Sequence, residues 1–98
     1  MKKSKYDIQA TSRFQREFKK SVKGNIGLRE KILSVIDKLS VNPFHRSLGT
    51  HYVDIPSFGR VFSSRVTGDI RIIWSFKDDT IVILHRIGGH SGSSNVYK

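Results

Sequence analysis

The chain of 98 residues contains no cysteine, which excludes a disulfide framework, thiolate zinc and iron–sulfur sites, and a thiol nucleophile. Acidic residues are scarce: eight Asp and Glu face eighteen Lys and Arg, for a net charge of +10. The chain cannot neutralise its own cations, so a polyanion is the expected partner. Long apolar runs are also missing. The longest aliphatic stretch, Ile81-Val82-Ile83-Leu84, is far short of the roughly 20 residues that cross a bilayer. The lysine-rich start, Met1 to Lys5, is followed by Tyr6-Asp7-Ile8-Gln9 rather than by the apolar region of a signal peptide. These absences point to a soluble, cytoplasmic protein with no membrane partner.

Repeats, low-complexity tracts and linkers are absent as well. Apolar positions recur from Tyr6 to Ile87 with short gaps, so residues 1–98 read as one domain. A chain of this size buries roughly 60 to 70% of the surface it exposes when unfolded. Most of its apolar residues are therefore committed to one core.

The pattern of those residues changes period along the chain. Tyr6-Asp7-Ile8-Gln9-Ala10 alternates and reads as a short strand. Ser12 and Gln15 then have capping-box spacing, and Ala10, Phe14, Phe18 and Val22 recur every four residues up to a stop at Gly24. A second helix carries Leu28, Ile32, Val35, Ile36 and Leu39 and ends before Asn42-Pro43, because proline disfavours helical geometry in the residue before it. Beyond Pro43 the period moves toward two. Val61 to Val66, Ile70 to Phe76 and Thr80 to Ile87 read as strands joined by the short turns Thr67-Gly68-Asp69 and Lys77-Asp78-Asp79. The expected fold is α+β in the order β-α-α-β-β-β, an antiparallel sheet with an N-terminal helical hairpin on its apolar face and the other face open. Residues 44–59, with Pro56 and Gly59, read as a loop-rich crossover.

Charge is concentrated at one end of this plan. Residues 1–31 hold ten Lys and Arg against Asp7, Glu17 and Glu30, or +7 of the total. On the first helix Arg13, Arg16, Lys19, Lys20 and Lys23 avoid the Phe14/Phe18/Val22 stripe and point to solvent. With few acids to balance it, this face is expected to meet nucleic-acid phosphates.

Phosphate-cradling glycine loops, nucleophile elbows and paired-carboxylate motifs do not occur, and the four histidines lack metal-site spacing. No cofactor or metal is expected. What remains is a set of titratable and cationic residues on and around the proposed sheet: His51, Arg65, Asp69, Arg71, Arg86, His90 and Tyr97. Metal-free cleavage of RNA needs a base for the 2′-hydroxyl, an acid for the leaving oxygen and cations for the phosphorane. Arg71, alternating with Ile70 and Ile72, is either a surface charge or a phosphate clamp. His85 shares parity with Ile81, Ile83 and Ile87 and reads as a core histidine satisfied by a backbone partner. His90 follows Gly88-Gly89, which places it at the edge of the sheet. Asp69 sits in a turn, where aspartate is also common for local reasons. Tyr97 either reaches the site or docks its ring on the core.

The order of elements and the segments Leu48-Gly49-Thr50-His51, Ser64 to Trp74 and Ile87-Gly88-Gly89-His90, with the terminal Val96-Tyr97, resemble the RelE/ParE toxin superfamily, nearest its YafQ-like branch. The resemblance spans almost the whole chain. It implies a toxin of a type II toxin–antitoxin pair, a ribosome-dependent and metal-free mRNA endonuclease, with an antitoxin protein, the 70S ribosome and its ribosomal RNA, and mRNA as partners. It also implies roles. The branch's tail histidine falls on His90 and its earlier histidine on His51, while the turn aspartate falls on Asp69. The middle-strand arginine falls on Arg71 and the C-terminal aromatic on Tyr97. Another branch histidine is replaced by Arg65, and arginine is too basic to shuttle protons. Acid–base work is then expected of His90 as acid and of His51 or Asp69 as base, with Arg65 and Arg71 on the phosphate. Arg86, Arg16, Lys19, Lys20 and Lys23 are the further RNA contacts. The tail aromatic normally follows its histidine by four residues, whereas three additional small residues intervene before Tyr97. A ParE-like gyrase inhibitor and a non-catalytic RNA- or ribosome-binding module are the alternatives.

Overall fold

The computed structural model describes residues 4–89 and 95–97. Strand β1 (Asp7–Ala10) leads into helices α1 (Ser12–Val22) and α2 (Ile26–Val41). One helical turn at Arg46–Leu48 then connects to strands β2 (His51–Ile55), β3 (Gly59–Arg65), β4 (Arg71–Lys77) and β5 (Ile81–Gly88). The expected α+β class is what the chain adopts. Phe14, Ile32, Val35 and Leu39 of the helices pack on Phe62, Ile72, Trp74, Val82, Leu84 and Ile87 of the sheet.

Two details of the sheet differ from the expectation. The crossover region contains a strand, β2, whose weak alternation hides it in the sequence. It forms because it pairs with β3 along its whole length, from His51↔Ser63 to Ile55↔Gly59, and buries Ile55 against Val61 and Ile73. The sheet is also mixed rather than antiparallel. Its order is β1-β5-β4-β3-β2, and β1 runs parallel to β5 in the register Asp7↔Ile81 to Ala10↔Leu84. Parallel neighbours need a long connection, and both helices with three strands provide it.

Local signals account for the helices. The cap of α1 is Thr11 rather than Ser12: its Oγ1 accepts from the Phe14 N–H at 3.1 Å and donates to the His85 carbonyl at 3.2 Å. Gln15 donates to the Ala10 carbonyl at 3.0 Å instead of closing a capping box. Asn25 caps α2 by accepting from the Leu28 N–H at 3.0 Å, and the helix ends at Val41 as the Asn42-Pro43 pair requires. Trp74, fully buried, donates its indole N–H to Ser64 Oγ at 2.8 Å. Ser64 meets Thr50 Oγ1 at 2.7 Å, and Thr50 donates to the Pro43 carbonyl at 2.7 Å. This chain of hydroxyls satisfies the buried indole and pins the start of β2.

The last strand carries an irregularity that matters for the site. Ile73 pairs with Arg86 but Trp74 pairs with Leu84, so His85 is an extra residue. The bulge breaks the parity read from sequence: Leu84 and Ile87 both face the helices. Pairing with β1 stops at Leu84, which leaves the next stretch of β5 without a strand on that side. The carboxylate of Glu17 takes its place. Oε1 accepts from the Ile87 N–H at 3.2 Å, and Oε2 accepts from Arg86 Nη2 at 2.7 Å and Nε at 3.2 Å.

Arg86 is only 7% exposed, so removing its partner leaves a nearly buried charge. Glu17→Ala should cost about 3 kcal/mol of stability, read as a lower urea midpoint. Replacing both partners, Glu17→Leu with Arg86→Met, should recover the part owed to the unpaired charge and not the part owed to the Ile87 N–H that Glu17 also holds.

Candidate active site

The face of the sheet away from the helices carries His51, Arg65, Arg71, Arg86 and Tyr97 of the expected residues. Cross-strand register places His51, Ser63, Ile73 and Arg86 in one row, and Arg65, Arg71 and Gly88 in the next. Residues opposite one another across paired strands project from the same face. His51 and Arg65 are exposed and Arg71 is partly so.

This face is not open along its whole length. Ile55, Val61, Ile73 and Val96 form a second small core, with Val53, Phe58 and Tyr97 packed against it. The C-terminal segment returns over the sheet: the Val96 N–H donates to the Gly89 carbonyl at 2.9 Å, and the Tyr97 N–H donates to Asn95 Oδ1 at 2.8 Å. The Tyr97 hydroxyl lies 2.8 Å from Ser63 Oγ. Ser63 is the register partner of His51. The Tyr97 ring packs on the outer core, as one of the two readings had it, and its hydroxyl lies beside Ser63, the register partner of His51.

Arg71 is held in place by its own turn. Its Nη1 donates to the Thr67 carbonyl at 2.5 Å and to the Ile70 carbonyl at 3.3 Å. Both bonds use one nitrogen, so Nη2 and Nε remain for an incoming acceptor. Thr67 also orders the turn by accepting from the Asp69 and Ile70 N–H groups at 3.1 and 2.9 Å. The Asp69 carboxylate comes so close to Gly89 that a Cβ there would lie 3.0 Å from Oδ2. Gly89 permits that approach because it has no side chain. Asp69 therefore stands at the root of the segment that carries His90, and His90 itself lies outside the described residues.

Arg86 has another engagement than the expected RNA contact. Besides Glu17 it donates through Nη1 to the Asn95 carbonyl at 3.3 Å. Its guanidinium ties α1, β5 and the returning tail together. Arg16, Lys19, Lys20 and Lys23 are exposed along α1. Lys20 joins Asp69 and Arg86 in lining a cleft of about 470 Å³ between α1 and the end of β5. Among the described residues, no group of three or more His, Asp or Glu side chains gathers into a metal-binding set.

No protein-family profile matches the chain, and no curated protein matches it by sequence. Solved structures do. YafQ from E. coli superposes with a TM-score of 0.70 at 20% identity, covering 86% of this chain and 92% of that one. YafQ in the E. coli DinJ–YafQ toxin–antitoxin complex gives 0.71 at 18%, covering 88% and 93%. The archaeal RelE–RelB complex from Pyrococcus horikoshii gives 0.70 at 15%, covering 91% and 99%. At such identities the likeness is one of fold: the chain has the RelE-like fold shared by RelE and YafQ toxins.

His85, the bulged residue, also lies on the outer face. Its Nε2 is 2.7 Å from Ser75 Oγ and its ring lies tilted against Phe58, centroids 4.8 Å apart, so its partner is a side-chain hydroxyl and not the backbone. His85 follows Ile83 onto the outer face by ordinary alternation; its parity in sequence with the helix-facing Ile87, which the bulge breaks, is what made it read as a core residue. Burial lowers its pKa below the ordinary 6.5. Below that pH the unfolded chain binds a proton that the folded chain resists, so stability is full above 6.5 and falls with acidification toward the folded value. His85→Gln should flatten this acid-side slope in denaturation midpoints; an unaltered slope would exclude His85 as its source.

Proposed function

We propose that the chain, with its RelE-like toxin fold, is the toxin of a type II toxin–antitoxin pair and acts as a ribosome-dependent, metal-free mRNA endonuclease. The observation that carries this reading is the pair of adjacent rows on the outer face. His51 and the Tyr97 hydroxyl share the Ser63 row, and Arg65 stands opposite Arg71 in the next. Proton-transfer groups and phosphate-binding cations thus occupy one surface.

The chemistry assigned to these groups is transesterification. His51 or Asp69 takes the proton of a 2′-hydroxyl, whose oxygen attacks the adjacent phosphorus. Arg71, with two nitrogens to spare, and Arg65 neutralise the phosphorane. His90 protonates the departing 5′-oxygen, which leaves a 2′,3′-cyclic phosphate and a free 5′-hydroxyl. Tyr97 packs at the rim of the His51 row, with its hydroxyl beside Ser63. The basic face of α1 docks on ribosomal RNA, where phosphate neutralisation contributes most of the affinity. A cognate antitoxin supplies the opposing charge, laying an acidic or amphipathic segment along the helices and the outer face. The cytoplasm is the place of action, since translating ribosomes are the target; among the described residues no helix is long and apolar enough to cross a membrane.

Mapping mRNA ends on translating ribosomes with purified protein tests the proposal. His90→Ala should reduce cleavage about 10²- to 10⁴-fold with ribosome binding retained. Full cleavage by the folded variant would remove His90 from the acid role. Inhibition of gyrase supercoiling with mRNA left intact would instead favour a ParE-like activity. Lys19→Ala and Lys20→Ala should weaken ribosome binding and flatten its salt dependence at similar turnover once bound; an unchanged salt slope would leave the α1 face without a docking role.

A further inference from the structure

Lys31, Ser34 and Lys38 lie three and four residues apart on α2 and so form one stripe along the helix. The fold brings this stripe opposite the far end of β3. Between them is a cleft of about 350 Å³, lined on the other side by Ser47, Arg65 and the backbone at Gly68. Three cations therefore face one space. None of them is in an ion pair with a described carboxylate, and no Asp or Glu lines the cleft. Lys38 Nζ makes only a 3.4 Å contact with Ser47 Oγ, and Arg65 Nη2 a 3.5 Å contact with the Ser47 carbonyl. These weak internal bonds leave most of their donors unused.

We infer that this cleft binds a phosphodiester of the RNA strand adjacent to the one held on the outer face, so that Arg65 bridges two successive phosphates and α2 guides the strand. The inference rests on the nuclease reading and adds a second binding site to it. Arg65 lines the cleft and stands directly opposite Arg71 in the β3–β4 register, so one arginine adjoins both the cleft and the proposed reaction site. The lining chemistry favours a phosphate over an acidic polypeptide. The apolar members of the cleft, Val35, Leu48 and Val66, are buried, which leaves ammonium, guanidinium and hydroxyl groups as the contacts. A docked peptide draws on apolar anchors, and none is presented here.

The test uses the full chain and a single-stranded RNA oligonucleotide with 2′-O-methyl groups, which cannot be cut. Binding is followed by fluorescence anisotropy over a range of salt. For the double substitution Lys31→Gln, Lys38→Gln, the slope of log affinity against log salt should fall by about 0.7, the share of one phosphate contact on a single strand. Affinity should fall roughly tenfold. A charge-matched control, Lys5→Gln with Lys77→Gln, removes two cations at the opposite end of the sheet and should alter the slope less. Equal effects of the two doubles would overturn the inference in favour of diffuse attraction. Poly-glutamate of matched charge is the second probe, and an equal or larger loss on it would assign the cleft to an acidic polypeptide instead. Cleavage by the wild-type chain is measured alongside: cleavage with no specific slope change removes the cleft and keeps the nuclease, whereas the slope change without cleavage keeps the cleft as an RNA site and removes the nuclease.

Discussion

The carboxylate of Glu17 occupies the place in the sheet where a strand is missing. β1 ends at Leu84 of its neighbour, and the remaining edge of β5 would present polar backbone without a partner. Thr11 takes the His85 carbonyl and Glu17 the Ile87 N–H, so the edge is completed by side chains of α1. The same carboxylate neutralises Arg86, which in turn holds the Asn95 carbonyl. One acidic residue on an otherwise basic helix thereby sets where α1 sits, how β5 ends and where the tail returns.

The position of the tail decides the shape of the outer face. Val96 is fully buried over Ile73, and Tyr97 reaches Ser63. Part of that face becomes a small core; His51, Arg65 and Arg71 stand toward the β3–β4 turn, while Ser75 and His85 lie toward the other end. Arg71 is steadied by the carbonyls of its own turn, and Asp69 is set against a glycine at the base of the tail segment. Cations are thus distributed by location: a solvent-facing row along α1, two arginines opposed across β3 and β4, and a lysine stripe on α2. Among the described cations, Arg86 alone is withdrawn from solvent into a structural ion pair.

Much of the fold was readable from periodicity. Phe14, Ile32, Val35 and Leu39 mark helix faces at helical spacing, and Ile72, Trp74 and Phe76 mark a strand face at spacing two. What escaped was β2, where His51-Tyr52-Val53-Asp54-Ile55 has little alternation and owes its strand to pairing with β3. The bulge at His85 escaped too, because an extra residue is defined only against a partner strand. Of the expected site residues, Arg71 was marked by its alternation with Ile70 and Ile72, whereas His51 and Arg65 were singled out by the resemblance and not by period. The burial of Arg86 was marked by neither, since its partner Glu17 is far away in the chain and a lone arginine in an apolar strand reads as a surface charge.

Local pattern was therefore enough to establish the α+β class, the helical hairpin, the basic face of α1 and a set of residue types suited to phosphate chemistry. Side-chain period and net charge act within a segment and need no knowledge of its neighbours. Three things depended on the folded chain: the parallel meeting of β1 with β5, the return of Tyr97 to Ser63, and the approach of Lys31 and Lys38 to Arg65. Each is a contact between segments distant in sequence. Such contacts are chosen by strand register, by the unsatisfied edge of β5 and by the apolar surface left over Ile73, all of which exist only once the sheet has assembled.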